Sequence, residues 1–400
     1  VMMGVRNPAV VGGVDPNDTG DQICGEVWFN ELRVSDFDEK GGYAALARMD
    51  FGLADFGSLS LSGNMHTEGF GALEQRIENR YTDNYYQYDA AANFDMGKFF
   101  GENAGIRIPV YAGYSKSMSD PQYDPFETDI LFKDKVNAAE DNFGGAYADS
   151  IRSAARDETT ITSFNVTNVR KVRTNTERKP KVYDVENFNA SFAYNETENS
   201  DPETQEEKIN NYSGSLGYNY NANPKYLTPF NSLAGKYFQI IRELNINLIT
   251  SNISVRTDMR IRHAFAQDRS ETEHPFRIEP RYDKDFTWDR FYALKWNLTK
   301  SVNLDFNATS NARIDEPHDS VGVELRNDTI WQNIKDFGRT TQYRHSFNGT
   351  YKLPIDKIPI LSFVKVTARY GGNYQWTGAS LNPIAQGLSL IHISEPTRLQ

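Results

Sequence analysis

Cysteine is nearly absent. Cys24 is the single one in 400 residues, so no internal disulfide can staple the fold. It has no nearby histidine, and it reads as a small apolar side chain rather than a nucleophile. Long apolar runs are missing too: no stretch of about 18 apolar residues occurs, which excludes a transmembrane helix. Basic charge is in deficit, with 43 Lys and Arg against 54 Asp and Glu and a net charge of -11. That balance argues against a nucleic-acid partner. The opening VMMGVRNP carries no charged n-region and apolar h-region, so no signal peptide is visible; a chain that starts within a gene lacks one whatever its destination. Catalytic signatures are missing as well: there is no HExxH, GxSxG, Walker loop or CxxC. His66, His263, His274, His318, His345 and His392 are scattered without ligand spacing. The expectation is a protein with no enzymatic activity, no cofactor and no metal.

What the sequence has in quantity is alternation. In YALKWNLTKSVNLDFNAT, Tyr292, Leu294, Trp296 and Leu298 alternate with Ala293, Lys295, Asn297 and Thr299. After Lys300 and Ser301, Val302, Leu304, Phe306 and Ala308 alternate with Asn303, Asp305, Asn307 and Thr309. Successive side chains of a strand point to opposite faces, so each run has one apolar and one polar face, and the short gap makes an antiparallel hairpin. A soluble sandwich gives the same alternation. The aromatic apolar face and the Lys, Asp and Asn on the other suit a barrel with lipid outside and water inside. A mean hydropathy of -0.63 does not oppose this, because only every second residue meets lipid. Aromatic content of 13% suits interfacial girdles.

The pattern recurs along the chain. Gly41 and Gly42 mark a boundary, after which Tyr43, Ala45, Ala47, Met49, Phe51 and Leu53 share one face. Leu59, Leu61, Gly63 and Met65 return across the turn 54–57. Further strands are expected at Tyr86–Met96, Ile106–Tyr114, in TSFNVTNVRKV, FNASFAYNETEN and YSGSLGYNYN, and in a last hairpin pairing Phe347–Leu353 with Val364–Tyr370. The total is about twelve, many near the roughly 9–11 residues that cross a bilayer at a tilt. Long polar loops are expected at 66–84, 117–159, 198–208, 266–285 and 315–338, and short connections at 54–57, 97–105, 300–301 and 354–359. Loops long at one rim and short at the other are a habit of outer-membrane barrels. Residues 223–245 mix prolines with a short helical pattern and read as a structured insertion at the short-turn rim.

Ile253, Val255, Thr257, Met259 and Ile261 face one way; Ser254, Arg256, Asp258, Arg260 and Arg262 face the other. Arginine on a lipid-facing strand costs roughly 2–4 kcal/mol at the midplane, so these arginines point into water. Arg256, Asp258, Arg260, Arg262, Lys365 and Arg369 are therefore the candidate lumen-facing wall. Other motifs favour plain readings. Asp15, Asn17, Asp18 and Asp21 lack the phase and flanking helices of a calcium loop and read as a polar turn. The triplets at Asn165, Asn189, Asn297, Asn307 and Asn348 match a glycosylation signal, but the polar face of a strand produces them unaided. YYQY (Tyr85 to Tyr88) reads as part of an aromatic girdle rather than a ligand platform.

CGEVWFNELRVSDF followed by GGYAALARMDFGLADFGSLSLSGN resembles the gliding-motility and secretion family SprA, also called Sov, of Bacteroidetes. Trp28, Phe29, Asn30, Glu31, Leu32 and Arg33 resemble its junction between a β-module and barrel strands. GFGALEQR, TSFNVTNVRK and YDVENFNASFAYNE also look familial, and the similarity runs from about residue 7 to 387. The organisation expected is a partial soluble β-module at 1–40 and transmembrane β-barrel strands at 41–387. Residues 388–400, containing LSLIHISEPTR, resemble a translated sequencing adapter, with the natural chain continuing beyond. The fold class is all-β, an antiparallel transmembrane β-barrel fragment with two open edges. The resemblance implies part of the outer-membrane translocon of the type IX secretion system, which exports folded cargo proteins and supports gliding. It further implies the lipid bilayer, cargo, a plug protein and a small outer-membrane barrel as partners. A TonB-dependent receptor, a porin and a secreted β-sandwich adhesin remain the alternatives.

Overall fold

The computed structural model describes residues 41–174, 180–230, 244–270, 278–316, 323–357, 361 and 363–379. The β-module at 1–40, with Trp28 to Arg33 and the Asp15 turn, and the adapter-like tail both lie outside the described residues.

Among the described residues the alternating stretches form strands. The strands are β1 (Ala44–Leu53), β2 (Gly57–His66), β3 (Asp83–Asp95), β4 (Ile106–Arg107), β5 (Pro109–Pro121), β6 (Asp157–Lys171) and β7 (Phe188–Ser200). They continue as β8 (Thr204–Asn221), β9 (Asn252–Asp268), β10 (Arg281–Asn297), β11 (Val302–Arg313), β12 (Arg339–Leu353) and β13 (Val366–Thr377). They form one 13-stranded antiparallel sheet in chain order, with the short β4 set aside on β6. β1 and β13 are its edges and do not pair with each other. β4 is split from β5 at Ile108, whose N–H donates to Asp95 Oδ1 at 3.3 Å, and Pro109 has no N–H to continue a ladder. Gly97 is required beside this kink, because a Cβ there would lie 2.2 Å from the Ile106 carbonyl oxygen.

Register decides which residues share a face, since directly opposed residues point the same way. Leu294 opposes Phe306 and Ile253, and Tyr292 opposes Ala308 and Val255. Followed from strand to strand, this face carries Met49 and Phe51 on β1, Leu59 and Leu61 on β2, and Ala90, Ala92 and Phe94 on β3. It reaches Phe347 on β12 and Tyr370 on β13. One apolar face therefore runs through the whole sheet. Much of it is uncovered: Met49, Phe192, Leu216 and Tyr370 are 58, 44, 51 and 61% exposed.

The apolar face has an internal order. On β8, Tyr212 and Tyr218 bracket Gly214 and Leu216; on β7, Tyr194 and Phe188 bracket Ala190 and Phe192. The two pairs meet across the strands, Phe188 with Tyr218 at 5.0 Å and Tyr194 with Tyr212 at 4.9 Å between ring centroids. β3 repeats the arrangement, with Tyr86 and Tyr88 at one end, Ala90 and Ala92 between, and Phe94 at the other. Beyond the upper aromatics the same face turns charged, with Lys116 on Glu158 at 2.6 Å and Lys208 on Glu196 at 3.0 Å. On β10 the face from Phe286 to Trp296, apolar but for Arg290, spans about 33 Å along the strand, or about 25 Å in height at a barrel tilt of roughly 40°.

The connections correct several expectations. The connections expected to be short fall at one rim, including the tight 298–301 turn of the 292–308 hairpin. The expected segregation of loop length does not hold. The rim of short turns also carries 172–187 and 222–251, and the other rim carries the tight 201–203 turn. The loop expected at 198–208 is thus mostly strand, because the ladder continues where the side chains turn charged. The loop expected at 117–159 is not structureless. It holds α1 (Phe132–Phe143) and α2 (Gly145–Ala155), joined at Gly144 with φ 89°. Phe132, Val136 and Ala139 recur at helical spacing and pack on Ala148 and Ala155. Arg156 anchors the pair to β5 by a bidentate contact with Asp120 at 2.6 and 2.8 Å. Residues 231–243 of the expected insertion lie outside the described residues. Its flanks are pinned to the 298–301 turn by the fully buried Asn247, whose N–H donates to the Leu298 carbonyl at 2.7 Å.

The expected loop at 315–338 holds α3 (Val323–Lys335). Ile330 and Ile334, together with Met259 and Ile261, pack against the cluster of Phe286, Trp288 and Ile314, so this helix covers one patch of the apolar face. That patch contains an arginine. Arg290 lies over the rings of Trp288 and Phe337, at 5.1 and 5.4 Å, and donates to Ser310 Oγ at 3.1 Å. The α3 segment is held at its base by Arg339, whose Nε and Nη2 reach Asp315 at 2.6 and 2.8 Å. The Arg339 guanidinium holds the Asp315 carboxyl below the ordinary carboxylate range. A depressed folded-state pKa gives stability that is present above the unfolded value of about 3.9 and is lost as pH falls through the folded one. Amide exchange of α3 should therefore accelerate below about pH 4 relative to the strands, and Asp315→Asn should show the faster exchange already at neutral pH. Exchange in Asp315→Asn equal to the parent would remove the ion pair from this role.

Candidate functional site, the polar face of the sheet

The opposite face is built from the other half of each alternation. Ser58, Ser60 and Ser62 on β2 lead to Asp89 and Asn93 on β3, and to Ser115 and Ser117 on β5. Ser163 and Asn165 on β6 lead to Asn195 and Ser213 on the next two strands. Small hydroxyl and amide side chains dominate, and they bond across strands. Ser163 Oγ donates to Asn195 Oδ1 at 2.6 Å, and Asn252 Nδ2 to Asn221 Oδ1 at 2.6 Å. Asp89 accepts from Ser115 at 2.6 Å and from Gln87 at 3.0 Å. The wall is therefore hydrogen-bonded to itself as well as to water.

The predicted charged residues fall here. Arg256, Asp258, Arg260 and Arg262 share this face of β9, opposite Phe291, Asp289, Thr287 and Asp285. Arg256 Nε donates to Asp258 at 2.9 Å, with Asp258 only 5% exposed. Arg260 reaches Asp289 at 3.7 Å, Arg262 reaches Asp283 at 3.2 Å, and Arg313 reaches Asp285 at 2.7 Å. All four arginines are close to half exposed or more, so each pair contributes only about 0.2–1 kcal/mol. They set the electrostatics of the surface more than its stability. Arg369 sits on the same face, opposite Thr350. Lys365 does not join the ladder, since it precedes β13 and belongs to the rim. Asn165, Asn189, Asn307 and Asn348 also lie on the polar face inside strands. Tyr86 and Tyr88 lie on the apolar face, while Tyr85 and Gln87 lie on the polar one and bond to each other at 2.9 Å.

Sequence reasoning did not anticipate the cluster around Asp83. His66 Nε2 lies 3.1 Å from Asp83 Oδ1, and its ring stacks on Tyr85 at 5.2 Å and meets Tyr81, tilted, at 4.0 Å. Ser119 Oγ donates to Asp83 Oδ2 at 2.7 Å. A serine, a histidine and an aspartate thus meet, but in an order unsuited to nucleophilic catalysis. In a triad the histidine accepts the serine proton and the aspartate orients the histidine. Here the carboxylate sits between the other two, and Ser119 has no base. The signal for this cluster was register, which alternation alone does not supply.

A family model described as motility related/secretion protein, the SprA N-terminal family, matches residues 1–136. This stretch is SprA-family sequence. The SprA match takes in β1 to β5 and ends inside α1, and β6 to β13 continue the same meander beyond it. The motifs around Trp28, the 54–57 turn and GFGALEQR all fall within the matched region. A comparison with curated proteins gives no match.

Proposed function

We propose that this chain forms part of the wall of an outer-membrane translocon, through which folded cargo proteins leave the cell by type IX secretion, with gliding motility among the outcomes. The observation that carries the reading is the ordered apolar face: aromatic ends, small and aliphatic centre, charge beyond, and no second sheet over it among the described residues. A band of roughly 25 Å flanked by aromatic girdles is what lipid selects on a transmembrane barrel. The polar face then lines a water-filled conduit, with Arg256, Asp258, Arg260, Arg262 and Arg369 on its wall. The edges of β1 and β13, unpaired among the described residues, accept further strands of the same barrel, because an open edge in lipid leaves backbone N–H and C=O groups unsatisfied. No step of catalysis is involved; the wall separates lipid from cargo. The bilayer, the cargo, a plug protein and a small outer-membrane barrel are the partners that the SprA resemblance implies.

The reading is tested in intact cells with Cys24 replaced by serine. Single cysteines at Leu294, Val302, Ala293 and Asn303 are treated with a water-soluble maleimide. Labelling at Ala293 and Asn303 alone is expected. Equal labelling at all positions, with the protein recovered in the soluble fraction, would favour a secreted sandwich.

A further inference from the structure

The polar face is not uniform in charge. On β9 and β10 the arginines are matched by aspartates, as described above. On β11 to β13 only Arg313 and Arg339, at the strand ends, are matched among the described residues, by Asp285 and Asp315. Arg344 on β12 makes neither an ion pair nor a side-chain hydrogen bond among the described residues, and the same holds for Lys352 and Arg369. Lys295 at the end of β10 is likewise without an ion pair. Asp305, opposite Lys295, is the one carboxylate that β11 to β13 place on this face among the described residues.

Arg344 also occupies a depression. It encloses about 440 Å³ and is lined by Asn307, Thr309, Arg344, Ser346, Asn373 and Gln375, with Tyr374. These residues form a grid: Asn307 opposes Ser346, which opposes Asn373, and Thr309 opposes Arg344, which opposes Gln375. One planar cation thus stands among neutral donors and acceptors, at a site recessed from a wall that elsewhere satisfies itself. A guanidinium without a partner presents a fork that matches a carboxylate in bidentate geometry. Neutral amides and hydroxyls around it suit the peptide groups flanking that carboxylate. Lys352 and Arg369 extend the positive potential toward the short-turn rim, so the field attracts more than one acidic group.

We propose that the polar face of β11 to β13 binds an acidic segment of polypeptide, with Arg344 as the anchor for a side-chain carboxylate. This deepens the conduit reading and rests on it, since that reading makes the face accessible to cargo. The site gives a conduit wall a resting place for acidic stretches of cargo, held by a bidentate contact at the exposed Arg344 and by further exposed charges, all of which salt weakens.

The test uses the detergent-solubilised full-length protein and fluorescent peptides of alternating Glu and Gly, Gln and Gly, or Lys and Gly. Anisotropy at low salt should show binding of the Glu peptide alone, weakening as salt is raised. Arg344→Gln should weaken it by about two- to fivefold, the scale of an exposed ion pair, and Arg344→Lys should restore part of the affinity. Ser191→Ala, on the same face of β7, is the control and should bind as the parent does. Equal binding of the Gln peptide, or Arg344→Gln binding like the parent, would overturn the site. Tighter binding of an acidic polysaccharide such as polygalacturonate would overturn the assignment to polypeptide. Water-side labelling of a cysteine at Asn373 separates the two levels. Labelling with no peptide binding removes the site and leaves the conduit. Peptide binding with Leu294 and Ala293 labelled equally removes the conduit and leaves the site.

Discussion

Phe192→Arg should cost about 2–4 kcal/mol of stability in a bilayer, while Ala193→Arg, one residue away, costs little. The two positions differ in face. Phe192 opposes Val166 and Gly214 on the apolar side and is 44% exposed. Ala193 opposes Asn165 and Ser213 on the polar side. For a protein whose both faces meet water, replacing a half-exposed side chain is worth only about 0.5 kcal/mol. In lipid the arginine must desolvate or drag water with it, and Phe192 lies between Ala190 and Tyr194, too deep for easy escape to the rim. Denaturant titration of the protein in lipid vesicles reads the difference, with heat-modifiable gel mobility as a second measure. Equal, small effects at both positions would sink the lipid reading of this face.

That contrast was legible in the sequence, because alternation assigns faces without knowing the fold. The 292–308 hairpin illustrates it: Leu294 and Phe306 fall opposite each other as alternation and a tight turn require. Strand ends were less legible. Thr197 to Ser200 and Thr204 to Lys208 belong to the ladder of β7 and β8, but Glu196, Glu198 and Lys208 place charge on the face that is apolar lower down. Alternation fades there while backbone bonding persists. The helices were hidden for a related reason. α1 and α2 bury few apolar residues, and SMSDPQYDP just ahead of them carries strong turn signals. Phe132, Val136 and Ala139 were the available clue, visible only at a period of 3.6. The charged wall was half legible. Alternation puts Arg256, Arg260 and Arg262 on one face and Arg256 beside its partner Asp258, yet Asp289 and Asp283, the partners of Arg260 and Arg262, come from β10 and required register. The depression at Arg344 required register across three strands.

The α1–α2 insertion gives the second large effect. Asp124 is 1% exposed, and it meets the ammonium of Lys135 on α1, which also reaches Glu127 at 3.1 Å. Asp124 is taken from water, whereas the Lys135 side chain is 27% exposed and keeps Glu127, so removing the aspartate costs its hydrogen bond without stranding the ammonium. Asp124→Ala should destabilise the insertion by roughly 2 kcal/mol, the scale of a lost hydrogen bond between charged groups. The double change Asp124→Leu with Lys135→Met should recover most of this, since an apolar pair of similar size has no desolvation to offset. Amide exchange on α1 is the readout, because the sheet beneath does not depend on this contact. Alkali should act like the single substitution. Burial opposes the charge on Lys135, but its hydrogen bonds to Asp124 and Glu127 outweigh that and raise its pKa. A raised folded-state pKa gives stability that is full below the unfolded value of about 10.4 and is lost as pH rises through the folded one. Protection of α1 should accordingly hold through neutral pH and fail only in strong alkali, with Asp124→Ala abolishing the transition. If Asp124→Ala leaves α1 as protected as the parent, the insertion is held by its apolar contacts alone, Phe132, Val136 and Ala139 on Ala148 and Ala155.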